Sequence, residues 1–129
     1  MLQHIKKLLE HSALYIAIAV TIFIAYLSLS SEAKLDLGFT FKSKDKIYHA
    51  IAYFTLAFTW LFAFRNSYHN NRFKILALCI LTFYGIILEG LQGTITNYRT
   101  SDLYDAIANF LGVLLGIIVF NTFLKWYSR

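Results

Sequence analysis

Four apolar stretches separated by short polar ones dominate the chain, over residues 12–30, 47–64, 73–91 and 103–123. Each approaches the roughly 20 residues that a helix needs to cross a bilayer. Within them the apolar residues run on without alternating with polar ones, unlike the strands of a membrane barrel. No proline interrupts any of them. The pattern predicts an all-α integral membrane bundle of four transmembrane helices, forming one domain over residues 1–129.

Polar residues intrude at particular helical positions. Glu89 and Gln92 stand three apart near the end of the third span and share one face. Asp102, Asp105, Asn109, Gly112 and Gly116 follow at steps of three and four on the fourth. The second span opens with Lys46, His49 and Tyr53 on one face, and Asp45 and His49 are an i, i+4 pair. A charge held in hydrocarbon costs about 2.5–3.5 kcal/mol even on the lenient insertion scale. These groups are therefore expected to face inward, around a polar site between helices.

Connectivity brings them to one level. The start of the second span, the end of the third and the start of the fourth must lie on the same side of the membrane. Lys46, His49, Glu89, Gln92, Arg99, Asp105 and Asn109 gather there whichever way the bundle is inserted. Insertion itself is read from basic residues. With the N-terminus inside, the inner flanks hold Lys6, Lys7, Arg65, Arg72, Lys74, Lys125 and Arg129, seven of the 12 Lys and Arg. The outer loops hold the other five: Lys34, Lys42, Lys44, Lys46 and Arg99. Both termini are thus expected to be cytoplasmic and the polar site to lie at the outer face. The first apolar run is longer than the usual 7–15 residues of a signal-peptide core. It is read as an uncleaved helix that covers the bundle.

Composition agrees with the membrane class. Of the 129 residues, 58% are hydrophobic, against roughly 45–50% in soluble domains. The net charge of +5 fits topology and anionic lipid headgroups. A nucleic-acid partner would need a basic stripe on a soluble element, and none is present. Cys79, alone of its kind, is expected to be a small core side chain, and Trp60 an interfacial anchor. The chain carries no zinc-protease, Walker or nucleophile-elbow pattern.

Three fragments then read together: Asp45-Lys46-x-x-His49 followed by Tyr53 and Phe54; Gly85-x3-Glu89-x-x-Gln92; and Arg99-x5-Asp105-x-x-Ala108-Asn109-x-x-Gly112-x3-Gly116. In this order, on three consecutive apolar spans, they resemble the VanZ-like family of small membrane proteins. The resemblance covers Asp45 to Gly116. It departs from the family in the third loop, where Thr96-Asn97-Tyr98-Arg99 replaces the frequent Pro-Gly-Arg turn. The family's namesake is associated with low-level resistance to the glycopeptide teicoplanin. The resemblance therefore implies a multi-pass protein of the bacterial cytoplasmic membrane with a link to the cell envelope.

Each residue carries a structural and a functional alternative. Glu89 is either a helix-locking ion pair, with Arg99 or Lys46, or a site carboxylate. Asp102 fits a helix cap. Asp105 and Asn109 continue into the Gly112/Gly116 face, which suits close helix packing. Lys46 and Arg99 either snorkel to headgroups, pair internally, or clamp an anion. His49, Glu89 and Asp105 together include donors that a dication accepts, but three ligands on three helices are a weak signal. No metal or other cofactor is expected.

Three functions remain open on these residues. The first is binding of an envelope lipid or cell-wall precursor headgroup, with Lys46 and Arg99 on a phosphate and His49, Glu89, Gln92, Asp105 and Asn109 on other polar atoms. The second is an intramembrane enzyme acting on a lipid-linked substrate, with Glu89 or His49 as general base and Asp105 as a second acid or orienting group. The third is an assembly subunit that docks a membrane-protein partner through the Gly112/Gly116 face.

Overall fold

The structure is a computed structural model that describes residues 2–29, 44–95 and 103–127, without the side chains of residues 44, 45, 93 and 95. Arg99 and Asp102 lie outside the described residues. Four helices follow in order: α1 (Leu2–Leu29), α2 (Lys44–Ala63), α3 (Asn71–Ile95) and α4 (Leu103–Tyr127). Among the described residues there is no strand.

Each helix follows from an unbroken apolar run, and the helix ends have local causes. A single 3-10 turn, Arg65–Ser67, follows α2. Asn70 then caps α3, its side-chain oxygen accepting from the Arg72 amide at 2.9 Å. Asp105 sits in the first turn of α4, where a carboxylate complements the helix dipole.

The helices run up, down, up and down. Ser28, near the end of α1, meets Gln92, near the end of α3. At the opposite end the start of α1 meets the end of α4: Lys6 Nζ donates to the Tyr127 carbonyl at 3.1 Å. Tyr127 in turn donates its hydroxyl to Glu10 at 2.6 Å. Arg65, from the α2–α3 connection, closes this network on Glu10 at 3.5 Å.

α2 is the central helix, packed against the other three and most extensively against α4. One apolar cluster joins Ile24, Tyr53, Leu56, Ala57, Leu81, Leu88 and Val113 from all four helices. A second, Leu61, Tyr68, Phe120 and Leu124, lies toward the Arg65 end. There Tyr68 donates its hydroxyl to the Ile117 carbonyl at 2.7 Å.

The glycines of α4 explain the close α2–α4 contact. A Cβ on Gly112 would lie 2.3 Å from the Ala50 carbonyl oxygen, and one on Gly116 would lie 2.9 Å from the Ala57 Cβ. The small-residue face is thus occupied by α2, as the internal-packing alternative requires.

Three helices are long and apolar enough to cross a membrane: Leu2–Leu29, Asn71–Gln92 and Leu103–Tyr127. α2 is not in that set, although four such spans were expected. Its place in the bundle gives the reason. The large exposed apolar side chains come from α1, α3 and α4, whereas α2 itself contributes only Ile51 among the described residues. An enclosed helix can carry Tyr, His, Thr and Trp on its sides without setting them in lipid.

Other expectations change as well. α1 begins at Leu2, so its 28 residues reach about 42 Å at 1.5 Å each, well beyond a hydrocarbon core of about 30 Å. It does more than cover the bundle. Its Thr21 carbonyl accepts from the Tyr84 hydroxyl at 2.6 Å, and its Thr21 hydroxyl accepts from Trp60 Nε1 at 2.8 Å. Trp60 is therefore bonded to a neighbouring helix instead of acting simply as an interfacial anchor. Cys79 is exposed, not in the core, because its position on α3 faces away from the other helices.

Candidate functional site

The polar groups converge at the end of the bundle where α2 and α4 begin and α3 ends. Lys46 and His49 lie on the first turns of α2, Glu89 on the last turns of α3, and Asp105 and Asn109 on the first turns of α4. Up-down connectivity makes these three ends neighbours. The i, i+3 and i, i+4 spacings then turn each pair of polar residues toward the same interface.

His49 stands at the centre. Its Nδ1 lies 3.0 Å from Asn109 Oδ1. An amide oxygen only accepts, so Nδ1 carries the hydrogen of that bond. Nδ1 is also 3.8 Å from Glu89 Oε1, while Nε2 faces Asp105 Oδ2 at 3.6 Å. The imidazole is thus flanked by a carboxylate from α3 and another from α4. Lys46 completes the group, its Nζ 3.0 Å from Asp105 Oδ1.

Burial grades across the cluster. Asn109 is 1% exposed and Glu89 6%. The Asp105 side chain is 14% and the Lys46 side chain 37% exposed. Lys46 therefore stands at the mouth, with Glu89 and Asn109 at the floor. Beneath them Tyr53 is buried, and Gly85 leaves room for Asn109, whose Nδ2 would lie 3.0 Å from a Cβ there. Gln92, 2% exposed, directs its amide nitrogen to the Ser28 carbonyl at 2.9 Å, which ties α3 to α1.

Of the residues singled out from sequence, Lys46, His49, Glu89, Asp105 and Asn109 meet in one cluster, while Gln92, one turn beyond Glu89 on α3, bonds to α1. The Glu10–Arg65–Tyr127 network at the other end was not foreseen. Its only sequence signal is an acid, Glu10, in a flank that is otherwise basic. Asp105 and Asn109 also engage more than helix packing explains, since both contact His49. Chemically the cluster can hold a proton between two carboxylates, bind a cation, or hydrogen-bond a polar headgroup at its open side.

A separate apolar cavity of about 300 Å³ lies between α1, α2 and α3. Thr21, Trp60, Leu61, Phe73, Ile80 and Tyr84 are among the residues around it.

Comparison with known proteins gives a family. An uncharacterized protein of the fission yeast Schizosaccharomyces pombe, C11E3.10, is 33% identical over 102 residues, which is 78% of this chain and 60% of that protein. The chain thus spans about three fifths of that relative's length. No solved structure matches. The family model described as VanZ/LLP1 matches residues 12–124, a stretch that includes the greater part of α1 and all of the cluster residues. The chain therefore belongs to the VanZ/LLP1 family of proteins.

Proposed function

We propose that this chain is a four-span membrane protein that holds the polar headgroup of a membrane lipid, or of a lipid-linked cell-wall precursor, in the Lys46–His49–Glu89–Asp105–Asn109 cluster. The observation that carries the reading is the convergence of these five side chains from three helices, graded from a buried floor to a half-exposed lysine. Such a site offers an ammonium for a phosphate together with donors and acceptors for hydroxyl or amine groups.

Two further features support a lipid over a soluble ligand. The outer faces of α1, α3 and α4 are apolar. The separate cavity between α1, α2 and α3 is lined mostly by apolar side chains and stands at the small end of ligand-pocket volumes, about 300–1,000 Å³. α2 serves as the fourth crossing: its 20 residues rise about 30 Å and run between the same two ends as its neighbours. The excess of Lys and Arg at the Arg65 end supports a reading with that end and both termini in the cytoplasm and the cluster at the outer face. For a bacterial member, the teicoplanin association of the family's namesake points to an envelope lipid or cell-wall precursor as the ligand class.

Mass spectrometry of co-purified lipids tests the reading, comparing wild type with Lys46→Met and Arg99→Ala at matched folded yield. One phosphate-bearing lipid should be enriched in the wild type and lost in both variants. The same bulk lipid in all three overturns the assignment.

A second reading has its own observation, the histidine set between two carboxylates. In an enzyme acting on a lipid-linked substrate, Glu89 or His49 would take the proton and Asp105 would orient the ring. Glu89→Gln would then abolish turnover of the bound lipid while leaving its retention intact. Full turnover in that variant removes Glu89 from the chemistry.

A further inference from the structure

We propose that His49, Glu89 and Asp105 form a binding site for a first-row divalent cation of the zinc type, with His49 Nε2 and one oxygen from each carboxylate as ligands. Taking either ring nitrogen of His49, one ligand atom from each residue lies within 4.8 Å of the others, and Glu89 Oε1 stands 3.8 Å from the Nδ1 side of the ring. Donors around a tetrahedral zinc stand about 3.3–3.6 Å apart, given bonds of about 2.0–2.2 Å. Nε2 and Asp105 Oδ2, at 3.6 Å, already meet that spacing.

The hydrogen-bond arrangement points the same way independently. Asn109 Oδ1 accepts from Nδ1–H, which leaves the lone pair of a neutral imidazole on Nε2. That lone pair faces a carboxylate oxygen, so two acceptors confront each other unless positive charge lies between them. Histidines that bind metal almost always donate their other ring N–H to an oxygen in this way, which sets the tautomer and orients the ring. Asn109, buried and contributed by the same helix as Asp105, supplies that oxygen.

Charge and solvation agree. Two carboxylates share the site, and neither is a freely solvated surface acid. Among the described residues Lys46 is a cation of the cluster, distance-paired with Asp105 Oδ1, yet that oxygen has no aligned hydrogen bond. Lys46 is also the most exposed member of the cluster, so a dication at the carboxylates would compete with its ammonium from the solvent side. One nitrogen with two carboxylates suits zinc or a neighbouring transition metal. Calcium, which takes 6–8 oxygens, is a poor match. Three protein ligands leave a fourth position open toward the mouth, as in metal sites that take a further ligand.

The inference rests on the geometry of the cluster and not on the bound lipid. The test therefore uses metal-stripped protein in nanodiscs of phosphatidylcholine alone, titrated with Zn2+ by calorimetry and with Co2+ by visible absorption. Wild type should bind one Zn2+ per chain and unfold at a higher temperature with it. His49→Ala and Asp105→Asn should each weaken binding by at least about tenfold. Lys46→Met should tighten it, because the competing ammonium is gone; a merely structural ion pair gives no such gain. Wild type without saturable binding overturns the proposal, as does binding unchanged in His49→Ala, which would place the metal on other histidines. If the ligand variants fail to fold, Lys46→Met decides: unchanged or weaker Zn2+ binding overturns the site. Failure of the lipid experiment leaves this result standing, since no envelope lipid is present.

Discussion

Adding one methyl group to a helical glycine of this chain should give opposite results at different positions. Gly90→Ala places its Cβ where nothing lies within 4 Å. It should stabilise the protein by up to about 1 kcal/mol, the helix-propensity difference between the two residues. Gly112→Ala gains the same propensity, but its Cβ arrives 2.3 Å from the Ala50 carbonyl oxygen and 3.0 Å from that residue's carbonyl carbon and Cα. Carbon–oxygen contacts between helices normally stand at about 3.3–3.6 Å. The obstacle is backbone, so no rotamer relieves it, and α2 and α4 must separate by roughly 1 Å. Overpacking typically costs about 1–3 kcal/mol, and a backbone collision belongs at the upper end or beyond. The net loss is about 2 kcal/mol, close to 30-fold in the folding equilibrium.

Gly116→Ala should fall between the two, since it meets the Ala57 Cβ at 2.9 Å and the Phe54 carbonyl oxygen at 3.2 Å. Unfolding of the three variants in detergent, followed by circular dichroism, should order them Gly90, Gly116, Gly112 from most to least stable. Equal shifts at Gly90 and Gly112 would refute the close α2–α4 contact. Gly112 also lies one turn beyond Asn109. Separation there should pull Asn109 from His49, and any site activity should fall with stability in this series alone.

Removing the tie between α3 and α1 by Gln92→Leu should cost about 1–3 kcal/mol, because the buried Ser28 carbonyl loses a partner; the same unfolding assay reads it. Burial pushes the Tyr68 phenol upward, so the fold favours its neutral form. Its contribution should be whole below about pH 10 and lost as pH rises through the folded value. Tyr68→Phe should be less stable by about 1 kcal/mol at neutral pH and show a smaller alkaline loss, seen by comparing its pH–stability profile with wild type. Glu10→Gln should cost at most about 1 kcal/mol, since its ion pair with Arg65 is partly solvated; a larger loss would mean that this network, more than the central core, holds the two ends together.

Sequence by itself determined the helical class, the family, the approximate positions of the helices and the meeting of the polar residues. The reasons are physical. Continuous apolar runs without proline have one economical solution in lipid, a helix whose backbone bonds are all internal. Helical spacing fixes which residues share a face, and four consecutive antiparallel helices bring the start of α2, the end of α3 and the start of α4 to one level. Lys46, His49, Glu89, Asp105 and Asn109 were legible as a group on those grounds.

Only the tertiary structure decided how they pair. Sequence left open whether Lys46 pairs internally, and the fold joins it to Asp105 and sets His49 between the two carboxylates. Partner choice depends on helix rotation and separation, and these follow from packing that no single segment encodes. The same holds for the Gly112/Gly116 face, filled by Ala50 and Ala57 of α2, and for Trp60, turned toward Thr21. It holds above all for α2, whose contacts with the other three helices, most extensively α4, put it at the centre of the bundle. Periodicity states which residues lie together on one helix; what lies opposite them is settled by the long-range contacts of the folded chain.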